Sequence, residues 1–168
     1  MSDPNPSRAI ATLVEQQRIA AFSTSHAGAP AASLVAYALD APATGALLHL
    51  SDLAAHTRNL RHEPRAALLI HEPDGDPRAD PQTLARLALS GRVARIATDD
   101  PDYAAARASY LARLPHAGPR FAFGDFQLYR LAIDDVAYVG GFARAARLTP
   151  AEFASIMRTG APGAGETP

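Results

Sequence analysis

A succession of strand-length apolar runs, joined mostly by short turns, constrains this chain more than any other feature of its sequence. Residues 19–26 (IAAFSTSH) and 31–40 (AASLVAYALD) flank the turn residues AGAP. In the second run Leu34, Ala36 and Ala38 alternate with Val35, Tyr37 and Leu39, the period of a strand with two different faces. ALLHLS (46–51) follows the turn residues APATG, and RAALLIHE (65–72) follows Pro64. Residues 82–97 read as a long fifth strand in which Gly91 marks a bulge or a close approach. Residues 121–142 (FAFGDFQLYRLAIDDVAYVGGF) read as two strands divided at Asp134 and Asp135.

Helical patterns lie between and around these runs. One starts near Ser7, a candidate N-cap, with Ile10, Leu13 and Val14 at helical spacing. A second has Asp99 or Asp100 as its cap and Pro101 in its first turn. A last one opens with the capping-box pattern of Thr149 and Glu152. About six strands with three or four peripheral helices, and no repeating βαβ unit, predict a mainly antiparallel sheet. The expected fold is mainly β with peripheral helices: a closed or half-closed barrel whose ends are plugged by helices. A single domain is expected over 7–159, with flexible tails at 1–6 and 160–168.

Composition narrows the chemistry. With 168 residues, 48% of them hydrophobic, the chain can bury a real core. It has no cysteine, which excludes disulfides, thiolate metal sites and a cysteine nucleophile. All sixteen basic residues are arginine, which excludes a lysine Schiff base and the lysine of a phosphate-binding P-loop. The formal charge of −1 gives no general attraction to nucleic acid or to an anionic membrane. No stretch is apolar for long enough to span a bilayer, and the polar, proline-containing start MSDPNPSRAI is unlike a signal peptide. A cytoplasmic protein without nucleic-acid or membrane partners is expected.

The stretch SDLAAHTRNLRHEPRAALLI, 51–70, concentrates the polar chemistry. Ser51 reads as the N-cap of a short helix, with Asp52 at the positive end of its dipole. Leu53, Thr57 and Leu60 share one face; Asp52, His56 and Asn59 share another. Hydroxyls of Ser51 and Thr57, the imidazole of His56 and the guanidinium of Arg58 are donors that meet an anion without lysine. A solvated polar face is the plain alternative for Arg58, Arg61 and Arg65. Arg86 stands among Leu84, Leu87 and Leu89. If it points into a barrel it needs a partner, either a ligand or a carboxylate such as Asp125. The remaining histidines, His26, His49, His62, His71 and His116, form no recognisable metal set, and no Ser–His–acid triad follows from spacing.

Taken together, 33–70, 86–96 and 120–145, with their pieces S-x-L-A-x-H-T-x-N-L, GDFQLYRL and VGGF, resemble the pyridoxamine-5′-phosphate-oxidase-like, FMN-binding split-barrel superfamily. Within it the resemblance is to the heme-utilisation (HugZ/HutZ-like) branch. It implies a six-stranded antiparallel split β-barrel acting as a homodimer, with FMN in a groove between subunits. It also implies that the strand carrying Ser33 and Val35 runs under the flavin. Residues 51–59, with Ser51, His56, Thr57, Arg58 and Asn59, would wrap the ribityl chain and phosphate, and Arg86 would contact the ring. Ala55 and His56 stand where oxidase relatives carry a phosphate-binding Arg–Lys pair, and Ser33 stands where they carry a phosphate-binding arginine. The Arg–His pair that holds pyridoxal phosphate has no counterpart, so vitamin B6 oxidation is not expected. No histidine follows His116, whereas heme-degrading relatives supply an iron ligand from their C-terminal region. The expected function is that of an FMN-dependent oxidoreductase acting on a small molecule. Heme binding or degradation is the alternative, beside a flavin carrier or sensor without turnover.

Overall fold

The computed structural model describes residues 6–141 and 144–160. The expected tail residues 1–5 and 161–168, and Phe142 of the VGGF piece, lie outside the described residues. The elements run α1 (Pro6–Gln16), β1 (Ile19–His26), β2 (Ala29–Leu39), β3 (Gly45–Ser51), α2 (Ala55–Leu60) and β4 (Arg65–His71). They continue with β5 (Arg86–Arg95), α3 (Tyr103–Arg113), β6 (Phe126–Val139), β7 (Ala145–Leu148) and α4 (Pro150–Thr159). A 3-10 turn, Pro81–Thr83, precedes β5, and a 3-10 segment, Pro115–Ala122, follows α3.

The strands form one antiparallel sheet in the order β3-β2-β1-β4-β5-β6-β7, and a further β3–β6 pairing closes the first six into a barrel. Residues 126–132 of β6 pair with β3 and residues 136–139 with β7, so one long strand serves two neighbours in turn. This corrects the expected break at Asp134 and Asp135, because β6 is continuous through both. The irregularity is a bulge, with the β5–β6 register shifting between Ser90 and Gly91. A Cβ at Gly91 would sit 1.8 Å from the Ala132 carbonyl oxygen, so only glycine permits this crossing. The short strand β7 has no counterpart in the sequence reading.

Inside the barrel, Phe22, Tyr37, Leu48, Leu68, Ile70, Leu87, Leu89 and Leu131 pack together. α1 and α4 plug the same core through Ile10, Leu13, Val14, Phe153 and Ile156. α4 begins at the expected capping box: Thr149 accepts from the Glu152 N–H, and Glu152 accepts from the Thr149 N–H at 2.7 Å. Arg113 of α3 caps the end of α1, its guanidinium donating to the carbonyls of Val14, Glu15 and Gln17, three acceptors a helix end leaves unpaired. A second apolar layer lies outside the wall, where Leu47 and Leu128 meet Ala106 and Tyr110 of α3.

Candidate functional site

β1 and β2 extend beyond the barrel as a two-stranded ribbon. Their register holds from Ile19↔Ala36 to His26↔Ala29, but β3 joins β2 only at 37–39. Among the described residues, 29–36 of β2 therefore have an edge without a strand partner, and α2 packs on this ribbon. Ser33 pairs with Phe22, which is fully buried, and directly paired residues share a face. The ribbon thus turns Ser33 and Thr24 toward α2.

Three of the expected residues meet there. The Ser33 hydroxyl lies 3.0 Å from His56 Nδ1. The His56 ring stands edge-on to Phe22, with centroids 5.8 Å apart. Asn59 Nδ2 donates to Thr24 Oγ1 at 3.1 Å. Burial lowers the His56 pKa below the ordinary imidazole value, so the ring is neutral at pH 7. One ring nitrogen is held by serine and Nε2 remains for another partner. Thr57 and Leu60 anchor α2 beneath; Thr57 is fully buried, and its hydroxyl has no hydrogen-bond partner among the described residues.

The other expected residues are directed elsewhere. Ser51 is not the cap of α2: the cap position is Ala54, which makes no side-chain bond. The Ser51 hydroxyl instead accepts from the Leu53 N–H at 3.2 Å and donates to Asp125 Oδ2 at 2.6 Å. The Asp52 N–H donates to the Asp125 carbonyl, so the β3–α2 turn is stapled to the turn before β6. Asp52 pairs with Arg61 at 3.2 Å and lies 3.5 Å from the Tyr129 hydroxyl, whose pKa is raised by burial first and Asp52 second. The Arg58 guanidinium folds back on the Leu53 carbonyl. Val35 is buried in the barrel core. Arg86 does not point inward: Leu87 and Leu89 take the inner face of β5, and Arg86 donates to the Gln82 and Leu84 carbonyls. Period-two alternation separates two faces without saying which is inside, and the interior-arginine reading fails for that reason. Asp125, Thr24 and Phe22 were not legible as partners of this region, because each contact depends on tertiary pairing.

The outer face of the sheet is also unusual. Leu34, Ala21, Leu69, Ala88 and Ala137 are in register across β2, β1, β4, β5 and β6. Leu34 is 68% exposed, Ile19 51% and Leu69 39%, a row of small and apolar side chains facing outward. Among the described residues no group of three or more metal-ligating side chains comes together, and no helix is long and apolar enough to cross a membrane.

A family model described as the CREG beta-barrel matches residues 2–155. The chain belongs to that family. It is 36% identical over 127 residues to HOZ, an unconventional heme oxygenase of the Arabidopsis thaliana chloroplast, an alignment covering 76% of this chain and 37% of the plant protein. A heme-binding protein from Mycobacterium smegmatis superposes with a TM-score of 0.77 at 31% identity, over 92% of this chain and 62% of that one. HutZ, the heme storage protein of Vibrio cholerae, shares the fold, with a TM-score of 0.58 at 19% identity over 74% of this chain and 87% of its own. The chain therefore spans well under two thirds of the plant relative and slightly less than two thirds of the mycobacterial one. The resemblance to split barrels of the heme-utilisation branch stands.

Proposed function

We propose that this member of the CREG barrel family is a cytoplasmic heme-handling protein. In this reading it works as a homodimer and holds the macrocycle along the free edge of β2 against α2. The contact that carries the reading is Ser33 Oγ to His56 Nδ1 at 3.0 Å. A neutral imidazole with one nitrogen fixed by a neighbour and the other available suits an iron ligand or a donor to a propionate. The residues expected to clamp a phosphate fit FMN less well. Ser51 and Arg58 are engaged within the protein and Thr57 is buried. The heme-related relatives named above favour the same choice. A bound heme brings redox and oxygen chemistry; the chain brings orientation and hydrogen bonds.

FMN-dependent oxidoreduction of a small molecule is the second reading. The observation favouring it is the unpartnered edge of β2, whose backbone groups suit the hydrogen-bonding rim of a flavin ring.

The partner in either reading is a second copy of this chain, joined through the outward row of Leu34, Ala21 and Leu69. Arg86 lies on that outer face whereas His56 lies over the inner one. In this reading an Arg86 that meets an α2 seam comes from the second copy. Titration of the purified chain with hemin and, separately, with FMN tests the assignment. A saturable Soret shift with weak FMN binding supports heme handling; tight FMN binding without a Soret shift overturns it. Leu34→Arg is expected to give monomers that lose ligand, and a monomeric wild type that still binds hemin overturns the two-copy groove.

A further inference from the structure

The seam between the β1–β2 ribbon and α2 has a further rung beyond the two already described. Phe22, Thr24 and His26 lie on one face of β1, two residues apart. Phe22 meets His56, and Thr24 meets Asn59. His26, at the tip of the ribbon, meets His62 just after α2, the ring centroids 5.0 Å apart and the planes at 62°. Both residues are exposed, and among the described residues neither ring has a hydrogen bond or an ion pair. The charged residues flanking His62 are engaged elsewhere, Arg61 with Asp52 and Glu63 with Arg65.

Both rings stand on firm supports. His26 pairs with Ala29 across a two-residue loop, Ala27 and Gly28, whose φ angles of 48° and 81° have the signs of a type I′ turn. Asn59 fixes the other side. Its side chain donates to Thr24, and its carbonyl accepts the N–H groups of His62 at 3.0 Å and Glu63 at 2.9 Å. On β2, Thr24 and His26 are paired with Ala31 and Ala29, so no large side chain of the ribbon comes between the imidazoles. A ring nitrogen binds zinc at about 2.0–2.1 Å. Two imidazoles on one ion then have centroids roughly 4.6 Å apart at a right angle and roughly 5.3 Å apart at the tetrahedral angle. The observed 5.0 Å lies between these limits, so rotation of two exposed side chains brings both onto one ion without a backbone shift.

We propose that His26 and His62 chelate one divalent cation of the nickel–copper–zinc group, water completing its shell, and that the ion clasps the ribbon tip to the end of α2. Imidazole suits these metals. The site does not rest on the heme reading. Calorimetric titration of the untagged full chain with zinc chloride tests it. The expected result is one ion per chain and a higher Tm, because the two ligands meet only in the folded chain. His26→Gln and His62→Gln should each lower the affinity by on the order of a hundredfold, the gain that a second linked ligand supplies, with the circular dichroism spectrum unchanged. His71→Gln should leave zinc binding intact, as should excess magnesium, which takes oxygen ligands. Affinity insensitive to either of the two paired-histidine variants overturns the proposal, as does an equal loss in His71→Gln. Competition by magnesium, or one ion shared between two chains, also overturns it.

Discussion

His56 and His49 are both held below the ordinary imidazole range by burial, yet their surroundings differ in kind. His56 is half-buried on a short helix, its Nδ1 held by Ser33, beside a strand edge that no described strand covers. His49 is 8% exposed, and its Nδ1 has no hydrogen-bond partner among the described residues. Its ring stacks on Phe121, with centroids 3.9 Å apart and planes 9° from parallel, and meets the edge of Tyr110 and a tilted Phe126. Arg107 also lies over Phe121, at 4.9 Å. Burial, then Arg120 and Arg107, push the His49 pKa down to about 4. A polar group that has a partner and stays reachable is arranged for a ligand. One without a partner inside an aromatic stack acts as a flat filler, clamping the segment before β6 to the barrel wall.

Removing the filler should have the largest effect. His49→Ala empties the stack and is expected to destabilise the fold by about 3 kcal/mol, the size of a large-to-small change in a packed core. Chemical denaturation measures this, while hemin affinity per folded molecule should stay unchanged. Wild-type stability in this variant would erase the distinction between the two histidines.

The same histidine predicts an acid dependence. Its folded pKa of about 4 lies below the ordinary imidazole value of 6.5, so between these values the unfolded chain binds the proton and the folded chain does not. Unfolding free energy then rises with pH across that window. His49 therefore contributes stability that is fully present above about pH 6.5 and is lost progressively down to about pH 4, by at most about 3 kcal/mol. His49→Phe keeps a flat ring without the titration and should flatten this part of the stability profile. An unchanged profile would assign the acid dependence to other groups.

The contrast also shows what the sequence could and could not reveal. β1 was legible to the residue, because IAAFSTSH is bounded by turn chemistry and its pattern needs no distant partner. The capping box of α4 was legible for the same reason. β6 was misread because two aspartates look like a break, while the bulge that absorbs them is set by Gly91 on another strand. Ser51 was misread as a helix cap because its true partner, Asp125, is 74 residues away. At the site, His56 and Asn59 were legible through their shared helix face, but Thr24 and Phe22, which complete the seam, follow only from the β1–β2 register. Nothing local separated His49 from any other histidine, because the stack joins a strand to a segment some seventy residues later.

His56→Ala should reverse the pattern expected at His49. The lost hydrogen bond to Ser33 costs about 1 kcal/mol of stability, so the melting curve moves little. Hemin affinity is expected to fall well beyond tenfold, because the available ring nitrogen goes with the side chain. A hemin titration with intact affinity would move the site away from α2 altogether.

The smallest expected effect is the sharpest test of the seam. Ser33→Ala keeps the imidazole but removes the hydroxyl that fixes Nδ1. The ring is then free to rotate or to exchange tautomers, and the orientation of Nε2 is no longer set. A partner that acts through a ligand in this way typically changes affinity by about tenfold, so hemin binding should weaken by that order while stability changes by less than about 1 kcal/mol. Ser33→Thr retains a hydroxyl at the same position on β2 and should restore most of the affinity. Thr57 gives no such handle, since its hydroxyl is fully buried. If alanine and threonine at position 33 bind hemin equally well, the Ser33 contact is only packing, and His56 would have to act without the neighbour that distinguishes it from His49.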